Sequence, residues 1–168
     1  MKNIVLTGFM GAGKSVVGRK LAERLGLGVV DTDDVIEEES GMEISEIFSR
    51  FGETRFRELE SEAVQKVASL ENSVIVTGGG VVLKAENITT LKKNGSIVYL
   101  RASPEAIYNR VKDETHRPLL QVADPPGRIR ELLEQRTPFY ANNDIEIDTT
   151  NLSVDEVVEE IVQKIRSA

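Results

Sequence analysis

The sequence contains no cysteine, which excludes disulfide bonds and thiolate metal sites and fits a reducing compartment. It also contains no apolar run that approaches the roughly 20 residues needed to span a bilayer. The segment Met1–Leu6 holds too few apolar residues for the core of a signal peptide. We therefore expect a cytoplasmic protein that does not enter membranes.

Basic residues are in the minority. The chain has 21 Lys and Arg against 28 Asp and Glu, a formal net charge of −7. General affinity for nucleic acid or for an anionic membrane would need the opposite sign, so neither is an expected partner. At 168 residues, without repeats or an interdomain linker, the chain is expected to form one domain with a substantial core.

Short runs of β-branched residues alternate with helical patterns along the chain. The predicted strands are Ile4–Thr7, Val29–Asp31, Val74–Thr77, Ile97–Leu100 and Ile145–Asp148. The predicted helices are Lys14–Leu25, Ile44–Phe51, Arg55–Leu70, Ala85–Lys93, Pro104–Arg110, Ile129–Tyr140 and a last helix that opens at a capping box of Ser153 and Glu156. This alternation predicts an α/β fold with a parallel sheet covered on both faces. Ligands of such sheets bind at the carboxyl ends of the strands.

The segment Gly8–Ser15 matches the pattern G-x-x-x-x-G-K-[ST], directly after a predicted strand and before a predicted helix. Its glycines let the backbone curl so that N–H groups point at phosphate oxygens, and the following helix adds the positive end of its dipole. Lys14 is placed to reach the β- and γ-phosphates, and the Ser15 hydroxyl to ligate Mg²⁺. The pattern therefore predicts a nucleoside triphosphate site.

A cluster of carboxylates, Asp31 to Asp34, closes the second predicted strand. One of them could hold Mg²⁺ through water, and another could accept a proton from an attacking hydroxyl. Side-chain alternation along a strand favours Asp31 and Asp33 as that pair. The alternative is a turn or an N-cap for a helix starting near Val35, a role for which Asp34 is suited.

Two further segments follow no regular period. Gly78–Gly80 is a place where the backbone could approach a ligand closely, although a turn is the alternative. The segment from Val111 to Arg128 is rich in proline and charge, and such a stretch is either functional or disordered. Beside a phosphate site we favour a mobile lid, and we expect its His116 to be an exposed lid residue rather than a catalytic base.

Three arginines stand out by their context. Arg57 lies in a predicted helix, Arg117 in the candidate lid, and Arg136 near a helix end before Pro138. Arginine suits a planar, bidentate grip on a carboxylate or phosphate. The alternatives are a solvated surface position and, for Arg57, pairing with glutamates of its own helix. The adjacent Phe56 either walls a pocket or packs in the core.

Together these segments resemble the shikimate kinase family over about residues 3–165. The resemblance rests on motifs in the family's order and spacing: Gly8–Ser15, Asp31-Thr32-Asp33, Phe56-Arg57, Gly78–Gly80, Arg117-Pro118-Leu119-Leu120 and Arg136-Thr137-Pro138-Phe139-Tyr140. It implies a single P-loop kinase domain over residues 1–168, a three-layer α/β/α fold with a five-stranded parallel sheet. The substrate-binding region would be about residues 32–60 and the lid about residues 111–124.

The resemblance also implies an activity. The γ-phosphoryl group of ATP would be transferred to the 3-hydroxyl of shikimate, a step toward chorismate and the aromatic amino acids. Asp33 would bind the ring hydroxyls and orient or deprotonate the attacking one. Arg57 and Arg136 would clamp the shikimate carboxylate, while Gly78, Gly79 and Gly80 would contact the substrate through their backbone.

On the nucleotide side, the resemblance implies that Lys14 and Arg117 are catalytic together with Asp33. Ser15 would ligate Mg²⁺, and Asp31 would hold the water shell of that ion. The nucleotide-binding residues would be Gly11, Ala12, Gly13, Lys14, Ser15, Val16, Arg110 and Arg117.

Two other functions compete with this interpretation. Gluconate kinase or another P-loop metabolite kinase would share the phosphate loop and would also need an arginine for a carboxylate. A regulatory nucleotide-binding module would need a partner surface, and no exposed apolar stripe indicates one. Because all predicted site residues come from one chain, we expect a monomer.

Overall fold

The computed structural model describes residues 1–114 and 121–168. The predicted site residue Arg117, its motif through Leu120, His116 and part of the predicted lid lie outside the described residues. The elements follow one another as β1 (Asn3–Thr7), α1 (Lys14–Leu25), β2 (Gly28–Asp31), α2 (Thr32–Ser40), α3 (Ile44–Ala68), β3 (Ser73–Val76), a 3₁₀ turn (Val81–Leu83), α4 (Ala85–Lys92), β4 (Gly95–Arg101), α5 (Pro104–Val111), α6 (Pro125–Tyr140), β5 (Ile145–Asp148) and α7 (Val154–Ser167).

The five strands of the described segments form one parallel sheet in the order β2-β3-β1-β4-β5. The predicted fold class is therefore confirmed. The central strand β1 has β3 on one side and β4 on the other, so the chain changes sides of the sheet between these two strands. Such a switch opens a crevice at the carboxyl ends of the strands. The loop Gly8–Ser15 begins at this crevice.

Both faces of the sheet are covered by helices. Leu6 of β1 packs with Leu21 of α1 and Ile161 of α7 in one core cluster. Its neighbour Val5 points to the opposite face and packs with Val64 of α3 and with residues of α4 and α6. Burial on both faces explains why the inner strands are continuous apolar runs rather than alternating patterns.

Most predicted boundaries agree with the structure to within one or two residues. The capping box of Ser153 and Glu156 is present at the start of α7, and the apolar stripe of that helix is core. The two helices predicted over Ile44–Phe51 and Arg55–Leu70 form the single element α3, which is kinked between them at Gly52 (φ 79° and ψ 175°). The prediction for α6 was wrong at its start, because the helix begins at Pro125 rather than Ile129. Proline suits the first turn, where its missing N–H would have no helical partner.

None of the helices in residues 1–114 and 121–168 combines the length and apolar character that crossing a bilayer requires.

Candidate active site

The phosphate loop between β1 and α1 depends on glycine at positions of close approach and unusual backbone. A Cβ atom placed on Gly8 would lie 2.6 Å from the carbonyl oxygen of Leu100 in β4. Gly13, which caps the N-terminus of α1, has φ 91°, a left-handed conformation that other residues rarely adopt. The sequence therefore folds here only because glycine occupies both positions.

The N-terminus of α1 is open to an anion. It carries no side-chain cap and no acidic residue in its first turn, and Ser15 and Val16 are exposed. The N–H groups of the first helical turn have no partner within the helix, and the helix dipole makes this end positive. The buried Lys14 folds back so that its ammonium group donates to the carbonyl oxygens of Gly8 and Phe9. A cationic donor thus sits inside the curl of the loop.

A cleft of about 600 Å³ extends from this loop along the carboxyl edge of the sheet. The loop forms its floor, the ends of β2 and β3 form one wall, and α5 with the segment after β5 forms the other. The structure thereby brings together most of the site residues predicted from the sequence. Those lining the cleft are Gly11, Ala12, Gly13, Lys14, Ser15, Val16, Asp31, Asp33, Gly78, Gly79 and Arg110.

Arg110 marks one end of the cleft. Its guanidinium donates to the carbonyl oxygen of Thr149 at 2.9 Å and to that of Gly11 at 3.2 Å. Arg110 therefore connects α5, the phosphate loop and the segment after β5. Thr149 and Leu152 also line the cleft, although no motif in the sequence singled them out.

Asp31 and Asp33 lie in the cleft, as predicted, but the predicted N-cap and the predicted strand alternation were wrong. Helix α2 begins at Thr32, and Asp31 is its N-cap, accepting a hydrogen bond from the N–H of Asp33 at 2.8 Å. The cap is therefore not Asp34, because the chain enters the helix directly at the end of β2. Strand alternation does not relate Asp31 to Asp33 either, since Asp33 lies in the first helical turn.

Asp33 has an unusual environment. Burial raises the pKa of its carboxyl group to about 6, the negative charges of Asp31 and Glu60 add to this effect, and Lys14 opposes it. Burial likewise raises the pKa of Asp31. Among the described residues, Oδ1 of Asp33 is buried without a hydrogen-bond partner. Such an acceptor is suited to a hydroxyl group of a ligand.

The three glycines after β3 each face a different polar group. A Cβ atom on Gly78 would lie 2.9 Å from Oδ1 of Asp33, and one on Gly79 would lie 3.6 Å from Nη1 of Arg136. A Cβ atom on Gly80 would overlap the guanidinium of Arg57. Close approach, rather than a simple turn, therefore explains Gly78 and Gly80, whereas a Cβ atom on Gly79 would make only ordinary contacts.

Arg57 pairs with glutamates of its own helix and also faces the glycine loop, so both the structural and the ligand-binding interpretations of this residue remain open. It pairs with Glu60 at 2.9 Å and with Glu53 at 3.4 Å on its own helix, and it also faces Gly80. Glu60 is only 1% exposed, and burial raises its pKa while Arg57 opposes that rise. Within the described parts of the chain, Oε2 of Glu60 and Nε of Arg57 are buried without hydrogen-bond partners.

Glu60 is not among the site residues predicted from the sequence, although the sequence pattern around it indicates that it is buried. It shares a helical face with Phe56, Ala63, Val64 and Val67, all of which are buried. A glutamate inside an apolar stripe needs a buried partner. Phe56 itself is a core residue, packed in the cluster of α2 and α3, although the guanidinium of Arg57 lies 5.2 Å from the centre of its ring.

Arg136 reaches the same glycine loop from another helix on the same face of the sheet. It projects from α6, and its guanidinium carbon lies 5.4 Å from the ring centre of Phe9 in the phosphate loop. It also approaches Gly79, as described above. The two arginines predicted to bind a carboxylate thus converge on adjacent glycines from different helices.

The described residues of this site include no chelating set of protein ligands. The segments 1–114 and 121–168 contain no group of three or more His, Cys, Asp or Glu residues that could hold a metal ion. Mg²⁺ does not require one, because it usually keeps several waters and binds one or two protein groups together with substrate phosphates. Ser15 and Asp31, which line the same cleft, fit that pattern.

Comparison with known proteins assigns the chain to a family. Residues 10–166 match the family model described as shikimate kinase. The shikimate kinase of Thermodesulfovibrio yellowstonii is 54% identical over 164 residues, covering 98% of this chain and 95% of the relative. That of Caldanaerobacter subterraneus is 52% identical over 163 residues, covering 97% and 95%. The chain belongs to the shikimate kinase family.

Solved structures of shikimate kinases agree with this assignment. The enzyme of Acinetobacter baumannii in complex with shikimate has a TM-score of 0.94 and 39% identity, covering 99% of this chain and 94% of its own. A gluconokinase from Sinorhizobium meliloti is more distant, with a TM-score of 0.66 and 19% identity over 99% of this chain and 92% of its own. At that identity the likeness shows the fold alone.

Proposed function

We propose that this chain transfers the γ-phosphoryl group of ATP to the 3-hydroxyl of shikimate, which gives shikimate 3-phosphate and ADP. Membership of the shikimate kinase family supports this activity. The observation that carries the residue roles is the triple-glycine loop, which gathers Asp33, Arg57 and Arg136 next to the phosphate loop.

The acceptor side of the site has the chemistry that shikimate needs. Shikimate is an anion that carries several hydroxyl groups. Arg57 and Arg136 approach Gly80 and Gly79 and form a cationic pair for the carboxylate. Asp33 lies at the Gly78 end of the loop, where its buried Oδ1 can accept a hydrogen bond from a ring hydroxyl. Charge therefore fixes one end of the acceptor, and hydrogen bonding fixes the other.

The donor side is the phosphate loop. The open N-terminus of α1 binds the phosphates of ATP, Lys14 neutralises charge on the transferred group, and Arg110 closes the nucleotide end of the cleft. Ser15 and Asp31, the latter through water, would hold Mg²⁺, which supplies positive charge to the β- and γ-phosphates. Arg117, outside the described residues, stays a predicted catalytic and nucleotide-binding residue of a lid.

In the proposed reaction a bond forms between the 3-hydroxyl oxygen and the γ-phosphorus, and the bond from that phosphorus to the β–γ bridging oxygen breaks. Asp33 orients the hydroxyl and accepts its proton as the new bond forms. A pKa raised by burial to about 6 suits this role, because the carboxylate is ionised near pH 7 and is more basic than an ordinary aspartate. Lys14 stabilises the charge spread over the phosphoryl oxygens.

Some features of this proposal rest on the sequence alone. They are the single kinase domain over residues 1–168, the substrate-binding region near residues 32–60, the lid near residues 111–124, the monomeric state and the cytoplasmic location. Shikimate and ATP are the expected partners.

A product analysis tests the proposed function. The protein is incubated with Mg²⁺, ATP and shikimate, and the products are examined by phosphorus–proton correlation NMR. A phosphate ester coupled to the proton at carbon 3, formed together with ADP, is the expected result. Phosphorylation at another position, or none, would contradict it.

A further inference from the structure

Tyr140 is a buried aromatic residue at the end of α6. Its side chain is 1% exposed, and its ring stacks on Tyr99 of β4 with the ring centres 4.8 Å apart and the planes 6° from parallel. Both rings belong to the core cluster on the sheet face covered by α3 and α4. Because the ring is held on its face, the direction of its hydroxyl group is fixed by packing.

The hydroxyl of Tyr140 donates a hydrogen bond to the carbonyl oxygen of Gly79 at 2.5 Å. The described peptide bonds are all trans, so the carbonyl of Gly79 and the N–H of Gly80 point in opposite directions from one rigid plane. By holding the carbonyl, Tyr140 also fixes the direction of that N–H. Gly80 is the residue that lies against the guanidinium of Arg57.

The same hydroxyl lies beside Arg136, one helical turn earlier on α6. Burial raises the pKa of Tyr140, and the charge of Arg136 together with a hydrogen bond between the two side chains opposes that rise. Arg136 in turn approaches Gly79. Tyr140 therefore contacts Arg136, to which the proposed function assigns the acceptor carboxylate, and Gly79, whose carboxyl side leads to the glycine that faces Arg57.

We propose that Tyr140 is a positioning residue, whose hydroxyl holds the Gly79–Gly80 peptide and Arg136 in the arrangement that binds the carboxylate of shikimate. This inference rests on the proposed function. Consecutive glycines have no side chains to hold them and the greatest backbone freedom of any residues, so their orientation needs an external hydrogen bond. Core packing alone needs only the ring of Tyr140, and phenylalanine would supply that.

The variant Tyr140→Phe separates the two roles of the side chain, because it keeps the ring and removes the hydroxyl. Loss of a hydrogen bond that supports a charged site corresponds to a rise of about tenfold in the KM for shikimate. We expect kcat to fall less than about threefold and the KM for ATP to stay within about twofold, because the phosphate loop is untouched. Tyr99→Phe is the matched control, since it removes a hydroxyl from the other ring of the same stack, and it should leave both KM values unchanged.

A second acceptor distinguishes positioning from a general effect on structure. In a shikimate analogue whose carboxylate is replaced by a neutral hydroxymethyl group, the groups held by Tyr140 have no anion to bind. Wild type and Tyr140→Phe should therefore show the same kcat/KM for this analogue, although they differ for shikimate. An equal loss on both acceptors would overturn the inference.

The possible outcomes separate the inference from the function on which it rests. If wild type phosphorylates shikimate and Tyr140→Phe retains the wild-type KM for it, only the role of Tyr140 is wrong. If wild type does not phosphorylate shikimate, the proposed function is wrong and the inference falls with it. Partial unfolding of the variant would lower kcat and leave the ratio of the two KM values unchanged, which also counts against the inference.

Discussion

Glu60 holds Arg57 from inside the protein. The carboxylate accepts a hydrogen bond from Nη1 of Arg57 at 2.9 Å, and it is 1% exposed, whereas the arginine side chain is 22% exposed. The buried acid therefore anchors a guanidinium that is itself still partly exposed. Removing one member of such a pair leaves an uncompensated charge in a poorly solvated place.

The same helix supplies a matched control for this pair. Arg55 and Glu58 have the same spacing along α3 and the same 2.9 Å separation, but both side chains are about half exposed. We expect Glu60→Ala to raise the KM for shikimate and to lower the free energy of unfolding by about 3 kcal/mol. Glu58→Ala should change that free energy by less than about 0.5 kcal/mol and leave the KM unchanged. Chemical denaturation and steady-state kinetics measure both quantities, and equal effects of the two variants would contradict the account.

Asp33→Asn tests the role of the carboxylate in the reaction. The amide can still contact a hydroxyl, but it cannot take its proton. We expect kcat to fall by about 10²-fold or more, as is usual for loss of a general base, while the KM for shikimate changes much less. A variant with wild-type kcat would show that Asp33 is not the proton acceptor.

Asp33 should also make stability depend on pH in nucleotide-free protein without Mg²⁺. Its pKa is raised to about 6 in the folded state, so the folded state binds the proton more tightly than the unfolded chain. The free energy of unfolding therefore falls as pH rises from about 4 to about 6, stays at that lower level above about 6, and is regained as pH falls back through this range. Asp33→Asn should be more stable than wild type by up to about 3 kcal/mol at neutral pH, with the difference disappearing below about pH 4. A difference that does not vary with pH would contradict the raised pKa.

Much of this fold can be predicted from the sequence. Runs of β-branched residues mark buried parallel strands, and the phosphate-loop pattern marks the carboxyl end of β1. The start of α2 could not be placed, because Asp31 and Asp34 are equally good caps and only the end of β2 decides between them. Local pattern thus predicts the elements better than their junctions.

The rest of the site depends on contacts between distant residues. The apolar stripe of α3 indicates that Glu60 is buried, but only the folded structure shows that Glu60 and Arg57 lie against the triple-glycine loop. The hydrogen bond from Tyr140 to Gly79 joins residues 61 positions apart, and no local pattern indicates it. Tyr140 could be included in a family motif from the sequence, but it could not be given a role.

Gly80→Ala tests the close approach of the loop to Arg57. Gly80 has φ −99°, which alanine adopts without strain, so the methyl group acts only through its overlap with the guanidinium. We expect a rise of at least about tenfold in the KM for shikimate, because Arg57 must move. Gly28→Ala is the control, since its Cβ atom would make only an ordinary contact with Ser73, 3.5 Å away. An unchanged KM in Gly80→Ala would show that Arg57 does not need its present position.

Arg110→Ala tests the nucleotide end of the cleft. Arg110 contacts Gly11 of the phosphate loop and Thr149, so its removal should raise the KM for ATP several-fold without changing that for shikimate. Arg130→Ala removes an exposed arginine that pairs with Glu105 and should change neither value. A selective effect of Arg110→Ala on shikimate would contradict the placement of ATP at this end.

The choice of acceptor shows whether the residues around the glycine loop recognise shikimate. The measurement is acceptor-dependent release of ADP from ATP with Mg²⁺, using shikimate, gluconate, quinate, AMP and CMP in parallel. Because Asp33, Arg57 and Arg136 converge on one glycine loop, we expect a kcat/KM for shikimate that exceeds the others by about 10²-fold or more. A preference for gluconate or a nucleotide, or ADP release that does not depend on any acceptor, would contradict it.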